Sequence, residues 1–380
     1  MTQAWLDQPV FLTGLMKSGT TLLLGLMDGA DGVLCYPDEP SFDRLWSRRY
    51  DDAEHMLRDW IYGTPNPIHL YKAMQEAHGE AFDPRGAAWA KEQYPLLSEI
   101  EQHCARSVLR GLDQADGESL FDRLQYLQAL AEPPQEGLTR TALVRRTLQA
   151  FHRALRRPIG QPRAWAFKQP MPIVDPVFLD WFWAQFPAGK VVFIVRDPRA
   201  YYVSRIDYTR RSGLLQRVAA LRRRLLILSA VEADYRQIAA LHRRADPRAC
   251  FVRYEDLVSD AAGVMQRVAD FVGVPYTEAM SRPTKLGVAA EMPTATRAGG
   301  NTVFQSSKDR WRERLGPVET AMLEAATQPA LDDFGYDKVS SPWVRALMAG
   351  LRSPLATLNR MRRKPVRLKI DLSRSQECLR

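Results

Sequence analysis

A short glycine loop between two apolar runs constrains this chain more than any other stretch. The first run ends at Gly14, a short loop carries one lysine, and Gly19, Thr20 and Thr21 open the second run, which continues through Leu26. A strand, such a loop and a helix N-terminus form an anion site, because unpaired backbone N–H groups converge there and the helix dipole favours negative charge. The stretch predicts a strand–loop–helix unit suited to phosphate, although such units also occur without a ligand.

The loop is close to a Walker A motif but departs from it at one position. A Walker A motif has its lysine directly after the second glycine, where this chain has Thr20. The lysine of this loop is Lys17, two residues before Gly19. A P-loop kinase or NTPase would also need an acid directly at the end of an apolar strand. The candidate is Asp197, but Arg196 stands between it and the end of the strand. A kinase or NTPase is therefore the weaker enzyme hypothesis, and a non-catalytic nucleotide-binding module is a second alternative.

The composition fits a folded protein in a reducing compartment. With 380 residues, 46% of them hydrophobic, the chain can build one large α/β domain with insertions or two domains. No apolar run reaches transmembrane length, and the N-terminus lacks the basic start and cleavage site of a signal peptide. The four cysteines are scattered, which favours free thiols over disulfides or a zinc site. We therefore expect a cytoplasmic protein.

Several predicted strands end in charged residues. These are Asp38 and Glu39 after the run 33–36, Lys168 after the run 164–167, and Arg196 after the run 190–195. In open α/β sheets ligands bind beyond the carboxyl ends of the strands, so these side chains are candidate site residues. Pro198 favours the first turn of a helix that would carry Ser204 two turns later. Purely structural roles are the alternative. In that case Asp38 and Glu39 would solvate a turn or cap a helix, and Arg196 would pair with a nearby acid.

The chain divides into a domain of residues 1–340 and a tail of residues 341–380. From about 44 to 161 the spacing is helical, which predicts a helical insertion that carries substrate selectivity. Five of the six histidines lie in that insertion without metal-ligand spacing. Helices are also predicted at 176–186, 214–244 and 262–272. A Pro-, Thr- and Gly-rich stretch from 280 to 305 has little periodicity and predicts a lid.

The tail is basic and amphipathic. Eight Lys or Arg and no acid lie between 341 and 370, and they account for most of the net charge of +9. Trp343, Leu347 and Leu351 recur every four residues among these charges. The pattern fits a helix at an anionic membrane surface, and the alternative is that the apolar residues pack on the core of the protein. Nucleic acid is not expected as a partner, because aromatic residues are not interleaved with the charges.

Three blocks occur in a fixed order along the chain. They are the loop Gly14–Thr21, the strand and helix Val192–Arg205 with its R-D-P-R, and the block Val252–Leu257 followed by Phe271–Pro275. Together they resemble the superfamily of sulfotransferases that use 3′-phosphoadenosine 5′-phosphosulfate (PAPS), nearest to the branch of protein-tyrosine and many bacterial sulfotransferases. The resemblance implies a P-loop-like fold with a central parallel sheet flanked by helices. Two features depart from the family pattern: Met16 stands where the family often has Pro or Arg, and the segment Lys308–Arg312 matches the family's lid motif only loosely. Asn301 resembles one position of a family motif.

The resemblance also implies how the co-substrate PAPS would be held. Ser18, Gly19, Thr20 and Thr21 would bind the 5′-phosphate, Arg196 and Ser204 the 3′-phosphate, and Tyr254 would line the nucleoside pocket. Lys17 would stabilise the charge that develops on the departing phosphate. The 3′-phosphate contacts would distinguish this nucleotide from ATP.

For the chemistry, the resemblance implies in-line transfer of a sulfuryl group to a hydroxyl or amine. Glu39 is the candidate general base, with Asp38 as the fallback. Lys168 would orient the sulfuryl oxygens or the acceptor. No metal is required. The acceptor class stays open among glycans, proteins, lipids and small alcohols, because the helical insertion is not covered by the resemblance.

Overall fold

A five-stranded sheet forms the centre of the protein. The computed structural model describes residues 4–37, 39–40, 42, 119–122, 125–126, 129, 138–156, 162–170, 176–211, 220–289 and 308–350. The strands are β1 (Pro9–Gly14), β2 (Val33–Cys35), β3 (Ala164–Lys168), β4 (Lys190–Val195) and β5 (Ala249–Arg253), in the order β2-β3-β1-β4-β5. All four pairings between neighbouring strands are parallel. The predicted α/β fold with a central parallel sheet is confirmed.

Helices pack on both faces of this sheet. The helices of the described residues are α1 (Thr20–Met27), α2 (Arg140–Ala154), α3 (Pro176–Gln185), α4 (Pro198–Arg211), α5 (Ala220–His242), α6 (Tyr254–Ser259), α7 (Ala261–Val272), α8 (Trp311–Arg314), α9 (Pro317–Asp333) and α10 (342–350), of which α10 lies away from the sheet. Side chains alternate along a strand, so Phe11 joins one core with α2, α3, α5 and α9, while Leu12 joins the other with α1 and α7. Continuous apolar strands such as β4 result from burial on both faces.

The strand order creates a crevice at the carboxyl ends of β1 and β4. These two strands pair side by side, with Gly14 opposite Ile194. The chain leaves β1 towards β2 on one side and leaves β4 towards β5 on the other. Ligands of open α/β sheets bind where the connections diverge in this way. The loop after β1 and the residue after β4, Arg196, therefore meet at the edge where a ligand site is expected.

Local capping explains why several predicted helices begin and end where they do. Thr139 caps α2, because its side-chain oxygen accepts a hydrogen bond of 3.1 Å from the Ala142 N–H. Asp260 caps α7 in the same way through the Gly263 N–H at 2.8 Å. Gly273 ends α7 in the left-handed region with φ 84°, as the sequence predicts.

Two predictions need correction. The stretch 280–305 is not wholly irregular, because β6 (Thr284–Lys285) and β7 (Val288–Ala289) form a hairpin. Asp28 fixes this hairpin to the end of α1 by accepting from the Thr284 hydroxyl at 2.8 Å and from the Gly287 N–H at 2.7 Å. Two-residue strands are too short to produce a periodic pattern, so the sequence does not reveal them. The run 250–254 predicts a strand through Tyr254, but β5 ends at Arg253 and Tyr254 begins α6.

Parts of the predicted organisation lie outside the described residues. These parts are most of the insertion at 44–161, the lid portion 290–307 with Asn301, Asp38, and the tail beyond 350. Of the histidines, His152 and His242 are described. His152 packs edge-on against Trp5, and His242 packs edge-on against Phe251, so both belong to aromatic packing. Within the described part of the chain, no helix is both long and apolar enough to cross a bilayer.

Candidate active site

The loop after β1 turns sharply before it enters α1. The Ser18 N–H donates to the Leu15 carbonyl at 3.0 Å, and Lys17 and Gly19 have left-handed φ values of 71° and 101°. Gly19 is required for space as well as for conformation, since a Cβ there would lie 2.6 Å from the Tyr254 ring. The loop is therefore held in a tight turn under the ring of Tyr254.

The side chain of Ser18 lacks a partner at this turn. It is fully buried, and its hydroxyl has no hydrogen-bond partner among the residues that the structure describes. Buried hydroxyls in folded proteins are paired as a rule. The hydroxyl precedes the N-terminus of α1, where Thr20 is buried and Thr21 half-buried. A polar atom without a protein partner at a helix N-terminus fits an anionic ligand.

Arg196 joins this loop to the helix that follows β4. Its guanidinium is buried and donates through Nη1 to the Lys17 carbonyl at 2.8 Å and to the Ser204 hydroxyl at 3.2 Å. The same guanidinium lies over the Tyr254 ring, with 4.6 Å from Cζ to the ring centroid. The structure thus brings Lys17, Arg196, Ser204 and Tyr254 together from four separate elements.

Glu39 and Lys168 form a second group on the other side of β1. Lys168 ends β3 and lies opposite Leu12 of β1, and its Nζ donates to a Glu39 carboxylate oxygen at 2.8 Å. The Lys168 side chain is nearly buried, while 28% of the Glu39 side chain is exposed. The residue after Lys168 is also tied to β1, because the Thr13 hydroxyl donates to the Gln169 carbonyl at 3.1 Å. The pair therefore lies at the same sheet edge as the loop.

Buried groups beyond the predicted site residues hold the backbone around Arg196. The Tyr235 hydroxyl donates to the Arg196 carbonyl at 2.5 Å, and a Glu255 oxygen accepts from the Asp197 N–H at 3.0 Å. The other Glu255 oxygen accepts from the Tyr336 hydroxyl at 2.8 Å. Burial raises the pKa of Glu255 and also raises the pKa of both tyrosines. This shell fixes the direction in which Arg196 leaves the sheet.

A second buried network extends from Asp197 to the C-terminal part of the domain. Arg199 donates to both Asp197 oxygens, at 2.9 and 2.7 Å, and to Glu324 at 2.6 Å. The Trp311 ring lies 4.0 Å from the Arg199 guanidinium carbon. Trp311 belongs to the stretch 308–312, whose similarity to a lid motif is loose in sequence. The structure places that tryptophan directly against the helix that begins after Arg196.

Glu324 is the centre of this network. Its side chain is fully buried, and it accepts hydrogen bonds from the Val339 and Ser340 N–H groups at 2.9 and 3.0 Å. Burial alone would raise the pKa of Glu324, but the hydrogen bonds from Ser340 and Val339 and the charge of Arg199 outweigh it. The pKa therefore lies below its ordinary value, and the carboxylate is ionised in the folded protein.

Comparison with known proteins adds a decisive observation. The model of the sulfotransferase family matches residues 9–278, which include the five strands of the central sheet, the loop after β1 and the R-D-P-R segment. The chain belongs to the sulfotransferase family. This sulfotransferase is therefore an enzyme of sulfuryl transfer, as predicted from the sequence, and the kinase and non-catalytic alternatives are set aside. No match is found among curated proteins.

Solved structures similar to this sulfotransferase are distant in sequence. The sulfotransferase domain of the olefin synthase from Synechococcus PCC 7002 is 22% identical, covers 87% of this chain and 95% of its own, and has a TM-score of 0.44. The sulfotransferase domain of the curacin biosynthetic pathway is 18% identical, with coverages of 86% and 97% and a TM-score of 0.46. A retinol dehydratase, solved with retinol and PAP, is 16% identical, with coverages of 88% and 84% and a TM-score of 0.38.

Replacing Glu324 with Gln should destabilise the enzyme in a pH-dependent way. Loss of one partner from a buried ionic network costs about 3 kcal/mol of unfolding free energy near neutral pH. Because the folded-state pKa is lowered, this contribution is complete above the ordinary Glu pKa of about 4.3 and is lost as the pH falls below it. Urea unfolding of wild type and variant near pH 7 and near pH 3 measures the difference at each pH.

Glu313→Gln provides the matched control, because Glu313 is an exposed glutamate in α8. That variant should remain within about 0.5 kcal/mol of the wild type, as is usual for surface substitutions. A Glu324→Gln variant as stable as the control, or a destabilisation that does not shrink in acid, would contradict the role assigned to the Glu324 network.

Proposed function

We propose that the enzyme takes its sulfuryl group from PAPS and that PAPS binds across the crevice between β1 and β4. The observation that carries this proposal is the buried Arg196 guanidinium, which contacts both the Lys17 carbonyl and the Ser204 hydroxyl. A planar guanidinium is well suited to bind a phosphate. Because Arg196 lies next to the loop, the two phosphates of one nucleotide could occupy the loop and the guanidinium at the same time. The loop would bind the 5′-phosphosulfate, and Arg196 with Ser204 would bind the 3′-phosphate.

The loop residues fit the 5′-phosphate. The Ser18 hydroxyl is buried at the start of α1 without a partner among the described residues, and Gly19 lets the loop pass close under the Tyr254 ring. Backbone N–H groups at this helix N-terminus, with the hydroxyls of Thr20 and Thr21, supply further donors. Tyr254 would line the nucleoside pocket, which is supported by the contact of its ring with Arg196 and its closeness to Gly19.

The proposed reaction passes the sulfuryl group from the 5′-phosphate of PAPS to an acceptor hydroxyl or amine. The acceptor atom bonds to sulfur while the bond from sulfur to the phosphate oxygen breaks, and the electron pair leaves with 3′-phosphoadenosine 5′-phosphate (PAP). The Glu39 carboxylate takes the acceptor proton. Lys17 stabilises negative charge on the departing phosphate. Positioning and charge stabilisation supply most of the rate enhancement, as in phosphoryl transfer.

Lys168 has a supporting part in this proposal. Its ammonium holds the Glu39 carboxylate at 2.8 Å, and it is nearly buried where β3 ends. The ion pair fixes the direction of the carboxylate at the sheet edge. Besides the role that the resemblance implies, orienting the sulfuryl oxygens or the acceptor, Lys168 would thereby orient the base.

PAP should stabilise this enzyme against heat far more than ATP or ADP does. A ligand that binds only the folded state raises the melting temperature by mass action, and only PAP carries the 3′-phosphate. Arg196→Ala should weaken PAP binding by about 10- to 100-fold, the usual cost of a lost charge-assisted hydrogen bond. Titrations followed by differential scanning fluorimetry measure both effects.

Arg236→Ala is the control for that experiment, because Arg236 is exposed and pairs with Glu232 in the same helix. It should leave PAP binding unchanged. Equal stabilisation by PAP and ADP would exclude a dedicated 3′-phosphate site. A full preference for PAP in the Arg196→Ala variant would move that site to other residues.

Glu39→Gln and Lys17→Ala should lower turnover by at least about 100-fold without loss of fold. Each variant removes a group that acts in the transition state, and such groups contribute on the order of 100- to 1,000-fold. The measurement is transfer of ³⁵S from PAPS to a set of phenols, sugars and amines, with circular dichroism and PAP binding as folding controls. Near wild-type turnover by Glu39→Gln would show that another group is the base, with Asp38 the next candidate.

We further propose that the C-terminal segment contacts an anionic membrane surface. In α10, Trp343 is 70% and Leu347 51% exposed, so the alternative of packing on the core is wrong for these two residues. Seven of the eight tail cations follow Arg345. Tryptophan suits the headgroup boundary, and each cation near anionic lipid contributes about 1 kcal/mol at low salt.

Arg345 holds this helix on the enzyme. It contacts the Ser340 carbonyl and lies 3.9 Å from the buried Glu324 carboxylate. The first turn of α10 is thereby fixed to α9, while Trp343 and Leu347 face outward. This arrangement supports a surface that the domain displays to a flat, anionic partner.

Flotation with phosphatidylglycerol vesicles tests the membrane contact. The full chain should float, and raised salt should reduce flotation because exposed charges are screened. Trp343→Ser with Leu347→Ser should reduce flotation, whereas the control Val318→Ser, at an exposed apolar site on α9, should not. The proposal would be contradicted if the protein floated equally well with neutral and with anionic vesicles, or if the double substitution left flotation unchanged. If the wild type instead formed concentration-dependent dimers that the double variant did not form, the partner would be a second copy of the chain.

A further inference from the structure

Tyr208 contacts Lys17, the loop lysine to which the proposed mechanism gives the leaving-group role. The Lys17 Nζ lies 4.9 Å from the centroid of the Tyr208 ring. Tyr208 is half-buried in α4, one helical turn after Ser204. Residues four apart lie on the same helix face. The face of α4 that presents Ser204 to Arg196 therefore also presents an aromatic ring to the lysine of the loop.

Both ends of Lys17 are held by the same stretch of chain. Its backbone is in the left-handed region at φ 71°, which is strained for a residue with a side chain, and its carbonyl accepts from Arg196 at 2.8 Å. Its side chain is exposed, and its ammonium meets the ring of Tyr208. The unit β4–α4 thus fixes the backbone through Arg196 and directs the side chain through Tyr208.

We propose that Tyr208 is a positioning residue that directs the Lys17 ammonium towards the sulfuryl donor, an inference that rests on the role of Lys17 proposed above. A lysine side chain loses rotamer entropy when it is ordered. A ring contact already present before the donor binds reduces that loss at the moment of reaction.

The chemistry of the contact explains why an aromatic ring suits this position. A ring face attracts an ammonium through its quadrupole but carries no net charge. A carboxylate there would neutralise the lysine, as Glu39 neutralises Lys168 on the other side of β1. The ring instead orients the ammonium without adding a negative charge of its own. Tyr208 thus orients the lysine without cancelling its charge.

The kinetic test is a double-mutant cycle on Lys17 and Tyr208. Tyr208→Leu should lower kcat for ³⁵S transfer by about 10-fold, with little change in the KM for PAPS, since a positioning contact acts on the transition state. Tyr208→Phe keeps the ring and should retain at least half of the activity. In a Lys17→Ala background, Tyr208→Leu should cause no further loss, because its effect passes through the lysine.

A measurement without turnover examines the contact itself. Reductive methylation with ¹³C-formaldehyde labels the lysines, and the Lys17 signal is the one missing in Lys17→Arg. The ring current of Tyr208 should shift that signal upfield in wild type and in Tyr208→Phe, and the shift should disappear in Tyr208→Leu. Tyr208→Met serves as a second variant if the leucine variant does not fold.

The outcomes separate this inference from the function on which it rests. If Lys17→Ala keeps wild-type turnover, the proposed role of Lys17 is wrong. If Lys17→Ala loses turnover but Tyr208→Leu does not, or if the Lys17 signal is the same with and without the ring, the role of Tyr208 is wrong while that of Lys17 stands. An equal loss from Tyr208→Leu with and without Lys17 also overturns the inference.

Discussion

The hydrogen bonds of one buried guanidinium are the interactions on which this site depends. Through Nη1, Arg196 contacts the carbonyl of Lys17 in one loop and the hydroxyl of Ser204 in the following helix. Three chain segments separated by as many as 179 residues are thereby joined at the carboxyl edge of the sheet. The parallel order of the strands makes this possible, because it places β1 beside β4.

Arg199, the buried cation three residues after Arg196, is compensated by the two acids that it contacts. Removing a charge from water costs several kcal/mol unless hydrogen bonds and counter-charges replace the solvent. Asp197, Arg199 and Glu324 form a continuous buried ionic chain behind Arg196, and Glu255 with Tyr336 secures the adjacent backbone. The C-terminal segment enters the same chain through Ser340. The end of the domain therefore helps to support the site that we assign to the nucleotide.

Features set by local sequence could be predicted, and features set by distant contacts could not. The loop before α1, the threonine cap of α2 and the glycine end of α7 follow from residues within one turn of each other. Glu324 lies 125 residues from Arg199, and no spacing in the chain indicates that they meet. The hairpin after residue 283 is too short for a periodic signal. The place of Tyr208 near the site could have been predicted from the sequence, because it follows Ser204 by one helical turn and so lies on the same helix face.

A crystal structure of the enzyme with PAP tests the central claim most directly, because it locates both phosphates at once. The account predicts the 3′-phosphate within hydrogen-bond distance of the Arg196 guanidinium and the Ser204 hydroxyl. It also predicts the 5′-phosphate at the N-terminus of α1, where the Ser18 hydroxyl gains a partner. A 3′-phosphate in solvent, or a nucleotide bound away from the crevice between β1 and β4, would contradict the account.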